Sequence, residues 1–139
     1  MAVRLRLRLQ GLGDAEVITS AVLNGGFEIV NPHLLVPAEC ARRLLGDYQA
    51  AAHQRAMEAA GGEVTFLYAD QEVLGRVHTD DREGQEVSFH VLVAEHDPEV
   101  LVSDAGIDAL GIRIESFAPG RWRFAEETLI RDSEAPEYW

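Results

Sequence analysis

Between residues 3 and 9, apolar Val3, Leu5, Leu7 and Leu9 alternate with Arg4, Arg6 and Arg8. That period of two is expected of a strand with one face buried and the other wet. A turn at residues 11–16 leads into a second strand at 17–23, rich in apolar and β-branched residues. Residues 27–30 read as extended, Asn31-Pro32 as a turn and 34–36 as another short strand. Pro37 suits the first turn of a helix, and 38–44 gathers Cys40, Ala41, Leu44 and Leu45 near one face before Gly46 breaks it. Asp47 is placed to cap a second helix reaching residue 60, because its alanines have high helix propensity and Gly61-Gly62 is a stop signal.

Strands are predicted next at 64–68, 73–77 and 87–93. Ala69-Asp70-Gln71 and the polar run 79–86 separate them into a meander of two hairpins. Residues 100–102 form a short strand, and Ser103 or Asp104 can cap a helix through Leu110 with Gly111 at its end. The strand 112–116 turns at residues 118–121, where Pro119-Gly120 fits a type II turn, into 122–124. Residues 1–125 thus read as one domain, mainly β with a few helices, and 126–139 as an acidic, loose tail. The two helices that follow apolar strands and end in Leu-Gly hint at a weak internal duplication.

Composition narrows the function. Twenty-four acids against twelve bases, all arginine, give a net charge of −12, which disfavours phosphate backbones and argues against a nucleic-acid partner. The arginine face of the first strand is either a solvated face that discourages edge pairing or a rail for an acidic partner. No apolar run reaches about 18 residues, so no spanning helix and no membrane partner is expected. The N-terminal arginines interrupt any signal-like apolar stretch, making a cytoplasmic location the default. The lone Cys40, among alanines and leucines, reads as a buried packing thiol.

The five histidines are scattered without metal-ligand spacing, and His90 falls on the face opposite Phe89 and Val91. No metal or other cofactor is expected. Gly11 to Gly13 lacks the third glycine of a dinucleotide loop, a chain without lysine has no phosphate-loop lysine, and no serine stands in a nucleophile elbow.

The stretch Val22-Leu23-Asn24-Gly25-Gly26-Phe27-Glu28 admits two readings. Asn-Gly between apolar strands signals a two-residue hairpin. Alternatively, the order of a strand, this loop, a strand ending Leu-Leu-Val-Pro and the helix Ala-Glu-Cys-Ala-Arg-Arg-Leu-Leu-Gly resembles the retroviral-type (retropepsin-like) aspartic proteases and their single-domain archaeal and bacterial relatives. There an apolar pair precedes Asp-Thr/Ser-Gly. Residues 99–115, Glu-Val-Leu-Val-Ser-Asp-Ala-Gly-Ile-Asp-Ala-Leu-Gly-Ile-Arg-Ile-Glu, are similar to that family's closing signature.

The resemblance spans about residues 17–115 and implies a retropepsin-like half-barrel that forms a homodimer, with terminal strands (3–9 and 122–124) as candidate dimer strands. In that family each subunit supplies one aspartate and the pair shares a proton. Here Asn24 takes the aspartate's place, and an amide cannot accept a proton from water near neutral pH. Gly25 replaces the stiffening hydroxyl residue, followed by Gly26 and Phe27. Ser103 replaces a glycine of the closing motif, beside Asp104, as part of a possible cleft. The presumed flap tip at 69–71 lacks glycine.

The expectation is therefore a catalytically inactive homologue that binds a peptide or protein segment as a homodimer. Alternatives are a hydrolase using Asp104 or Asp108 with a histidine brought close by folding, or a regulatory or structural partner subunit. Tyr138-Trp139 reads as either a frayed end or a partner anchor.

Overall fold

The computed structural model describes residues 2–23, 29–59 and 62–139, with side chains described at all of these except 50, 51, 53–59 and 62–65. The chain is mainly β. Its elements run β1 (Arg4–Gln10), β2 (Glu16–Leu23), β3 (His33–Pro37), α1 (Ala38–Leu45), a 3-10 helix (Tyr48–Ala51), β4 (Ala52–Ala59), β5 (Gly62–Val77), β6 (Val87–Ala94), β7 (Val100–Val102), α2 (Asp104–Ala109), β8 (Ile112–Phe117), β9 (Gly120–Phe124) and β10 (Arg131–Asp132).

β1 carries the seam. It pairs antiparallel with β2 along its whole length and with β5 from Leu7 to Gln10, closing the ring β1-β2-β7-β3-β6-β5 into a six-stranded barrel, with β4 added outside β5. Leu5, Leu7 and Leu9 are fully buried inside it. The arginines point outward and meet acids of the same chain. Arg4 binds Glu99 through two hydrogen bonds of 2.6 and 3.0 Å, and Arg8 reaches Glu16 at 2.8 Å and Glu83 at 2.9 Å.

The pairings repeat around the ring. β2 runs parallel to β7 and β6 parallel to β3, while β3 and β7 are antiparallel, as are β1 and β5. One half contains the hairpin β1–β2, then β3, α1 and Gly46 at φ 64; the other contains β5–β6, then β7, α2, Leu110 and Gly111 at φ 73. The faint duplication in the sequence thus corresponds to an approximate two-fold repeat of the barrel.

α1 buries Cys40, Ala41, Leu44 and Leu45, the face its spacing predicts. Burial pushes the Cys40 thiol up to about 12, so the sulfur is an inert packing group. The Ser103 hydroxyl caps α2 by accepting from Gly106 N at 3.1 Å.

Four local expectations are corrected. The helix predicted through residue 60 is a 3-10 helix followed by β4, whose pairing with β5 from Ala52↔Ala69 to Ala59↔Gly62 supplies backbone bonds that outweigh alanine's modest helix preference. Residues 69–71 are not a turn or flap tip: β5 continues through them, with an irregularity in which Ala69↔Val91 and Val73↔Phe89 set four positions of β5 against two of β6. The residues between β4 and β5, 60 and 61, lie outside the described residues. At the β8–β9 turn the Ala118–Pro119 peptide is cis and Phe117 pairs with Gly120, in place of the type II turn one residue later.

The fourth correction is the tail. Arg131 and Asp132 pair with β9, Ser133 N donates to Gly120 O at 2.9 Å, and Glu134 N donates to Arg4 O at 2.9 Å. Its acids find arginines, which is why an acidic composition did not leave it loose. The candidate dimer strands are likewise occupied within one chain, since β1 is paired on both edges and β9 lies between β8 and β10.

Phe89, fully buried, occupies space that two glycines leave open. A Cβ on Gly75 would lie 2.8 Å from the ring, and one on Gly106 would lie 2.9 Å from it and 2.8 Å from Val102 Cγ1. Gly106→Ala is expected to lower unfolding free energy by about 1–3 kcal/mol through overpacking, measured by urea denaturation. The exposed control Gly13→Ala is not an equivalent, because Gly13 holds φ 58; Asp132→Ala, on the surface, serves instead and should change little.

Candidate functional site

The loop containing Asn24, Gly25, Gly26 and Phe27 lies outside the described residues, but the strands it joins are defined. β2 and β3 are not paired with each other. β7 stands between them, Leu23 pairing with Val102 on one side and Leu34 pairing with Val102 on the other. The chain therefore passes from β2 to β3 across the end of β7, and the hairpin reading of Asn24-Gly25 falls outside the described residues. The β6-to-β7 connection likewise crosses β3, at the opposite end.

Ser103 follows Val102 directly and so sits where β2 ends and β3 begins. It is fully buried. Its hydroxyl accepts from His33 N at 2.9 Å and from Gly106 N at 3.1 Å, and its own N–H donates to His33 O at 3.1 Å. Ser103 thus ties the helix to β3 and is a structural anchor. Asp104 is the first residue of α2, with Ser103 holding the cap position. Asp108 is 83% exposed and faces Arg113 at 3.7 Å, so the fold gives its carboxylate no shielded pocket.

Across the outer face of β5, β6, β3 and β7 runs a second apolar row that the sequence reading did not assemble. Leu35 and Leu92 pair across β3 and β6, with Ala94 buried beside them and Phe66, Tyr68 and Leu101 packed on them. Next to it the rings of His33 and His90 lie 5.0 Å apart, and the Tyr68 hydroxyl is 3.1 Å from His90 Nδ1. Glu72 stands 3.6 Å from His90 Nε2 and accepts from the Ser88 hydroxyl at 3.0 Å. The period of two places His90 away from Phe89 and Val91; its neighbours come from pairings distant in sequence. Among the described residues no group of three or more His, Cys, Asp or Glu is placed to hold a metal ion.

A polar cluster at the foot of the barrel joins the three-stranded sheet β10-β9-β8 to the β5–β6 connection. Arg131 holds both oxygens of Asp81 at 2.6 and 3.0 Å and reaches Glu127 at 3.4 Å. Arg82 lies 3.9 Å above the Phe124 ring and pairs with Glu126 and Glu127, each at 3.0 Å. A surface hollow of about 290 Å³ opens here between Arg6, His78, Asp81 and Arg131. No local signal links Asp81 to Arg131 along the chain.

Compared with known proteins, the chain matches no family model and no curated protein. The fold defines its class: a closed six-stranded barrel, with strand-crossing connections at its two ends and a small three-stranded sheet attached. Among the described residues no helix is long and apolar enough to cross a membrane.

The hydrogen bonds from Arg131 and then Thr79 hold the Asp81 carboxyl well below its ordinary range. Because the folded-state value is depressed, the stabilisation is complete above the unfolded carboxylate's range of about 3.9 and is lost as pH falls below it. Asp81→Asn is expected to lower the thermal midpoint at pH 7, with the gap to the native chain shrinking as pH drops below about 4. Differential scanning calorimetry across that range checks it; a gap that does not change with pH would refute the ionic origin.

Proposed function

We propose that the chain is a catalytically silent barrel of the retropepsin type, acting as a homodimer that binds an extended peptide or protein segment. One observation carries the reading. β7 separates β2 from β3, so β2 ends and β3 begins at one barrel end, beside the Ser103 anchor, where a scaffold presents a binding loop. The approximate two-fold repeat of hairpin, crossover, strand and helix, and the match of loop and closing motif in the expected order, point the same way.

The chemistry at position 24 favours binding over cleavage. A pair of carboxylates can share one proton, so that one activates water while the other protonates the carbonyl; a pair of amides can only exchange hydrogen bonds. β4 ends the seven-stranded sheet, and its outer edge is where an extended segment would add as a further strand.

For the dimer, β8 is the open end of the small sheet. Antiparallel self-pairing centred on Ile114 sets Arg113 of each copy opposite Glu115 of the other, two opposite-charge pairs on the exposed face. Glu115 already contacts Arg123 of its own chain, so it would bridge two arginines.

The native chain is expected to cleave no unfolded substrate at acid or neutral pH. Asn24→Asp alone stays inactive, while Asn24→Asp with Gly25→Thr gains weak, acid-dependent cleavage blocked by an aspartic-protease inhibitor. Because Asn-Gly steps deamidate, intact mass must confirm the amide before each assay. Inhibitor-sensitive cleavage by the native chain, or no gain in a folded double variant, counts against the reading.

Sedimentation velocity tests the dimer edge separately. Arg113→Glu should shift the chain toward monomer and Arg113→Glu with Glu115→Arg should restore association; a native monomer at micromolar concentration would remove the dimer from the proposal.

A further inference from the structure

β2 is longer than the strand beside it. It runs Glu16–Leu23, yet β7 pairs only with Ala21, Val22 and Leu23, leaving the first half of β2 without a strand on that side. The last residues of the chain fill part of this opening. Glu137 Oε1 accepts from Ser20 N at 3.2 Å and stands 3.9 Å from Arg6. Trp139 Nε1 donates to the fully buried Thr19 hydroxyl at 3.1 Å, and Trp139 N donates to Pro98 O, in the crossover before β7, at 2.8 Å. The Arg43 guanidinium lies 5.3 Å from the centre of the Trp139 ring, which packs on the main core.

Between these two anchors Tyr138 is 68% exposed. Residues 137 and 139 are thus read and 138 is not, the alternation by which a groove recognises an extended segment. The surroundings suit an acid. Arg6 stands beside Glu137 and Arg43 beside the Trp139 ring, in a chain of net charge −12. The fit is also incomplete, since the Ser20 hydroxyl is buried with no hydrogen-bond partner among the described residues.

We propose that this notch is a recognition site for an extended segment of a partner protein carrying a glutamate two residues ahead of a tryptophan, and that residues 137–139 occupy it in cis as a displaceable mimic. The anchoring of Ser133 and Glu134 to β1 and β9 keeps the mimic close, at an effective concentration on the order of millimolar, so a partner binds by displacement. This site is independent of the loop at 24–28, and its success or failure leaves that reading untouched.

The test uses a fluorescein-labelled peptide Ala-Pro-Glu-Tyr-Trp and the full chain, followed by fluorescence anisotropy. The peptide should bind Trp139→Ala at least tenfold more tightly than the native chain. Adding Thr19→Val, or replacing the probe's tryptophan by alanine, should reduce that binding at least tenfold. Glu137→Ala, a milder lesion, should move affinity in the same direction as Trp139→Ala. Equal binding to native and variant chains, binding that ignores the probe's tryptophan, or loss of near-UV circular dichroism in both tail variants would overturn the proposal, the last by making the tail a fixed part of the fold.

Discussion

The pairing of β1 with β2 on one edge and β5 on the other turns a twisted sheet into a closed wall, and the remaining features follow from it. Closure leaves only two sides for each barrel residue, so leucines of β1 fill the interior while its arginines face out. At the seam Leu9 lies opposite Gly75, and the missing side chain there admits the Phe89 ring. An interior closed in this way has no slack, which is why small groups at 75 and 106 matter as much as large ones.

Inside that wall, β3 and β7 form an antiparallel pair flanked by parallel partners. This order forces the chain to cross a strand twice, once between β2 and β3 and once between β6 and β7. Crossovers cannot be tight turns. β2 therefore ends and β3 begins at the same barrel end, where the buried Ser103 locks the strand and helix that frame it. The same constraint links the second crossover to the chain's tail, because Pro98 receives the Trp139 N–H.

The outer surface is organised by charge. An excess of acids would ordinarily repel, yet arginines on β1 and β10 meet carboxylates brought from far along the chain, Glu99 to Arg4 and Asp81 to Arg131 among them, while those on β9 meet acids of the adjoining strands. The exposed pairs among them contribute little singly, whereas both partners of Arg4–Glu99 are largely covered. Their effect is to choose where the tail and the small sheet lie against the barrel, with cation–ring contacts at Phe124 and Trp122 adding to the same choice.

Much of this was legible in local pattern: the alternating leucines and arginines of β1, the buried face of α1, the Ser103 cap and the strand–helix–glycine repeat all depend on neighbours a few residues away. What local pattern misread were segments whose backbone partners come from elsewhere. Residues 52–59 have the composition of a helix and became a strand because β5 offered a full ladder, and residues 69–71 resemble a turn but lie within a strand that β6 holds on both sides of an irregularity. No local pattern announces that β7 comes to stand between β2 and β3. The sequence by itself determined which side chains turn inward and that position 24 carries an amide. The tertiary structure alone decided which strands are neighbours, what the loop connects and where the tail docks, because hydrogen bonds between strands depend on proximity in space and leave no mark on the residues between them.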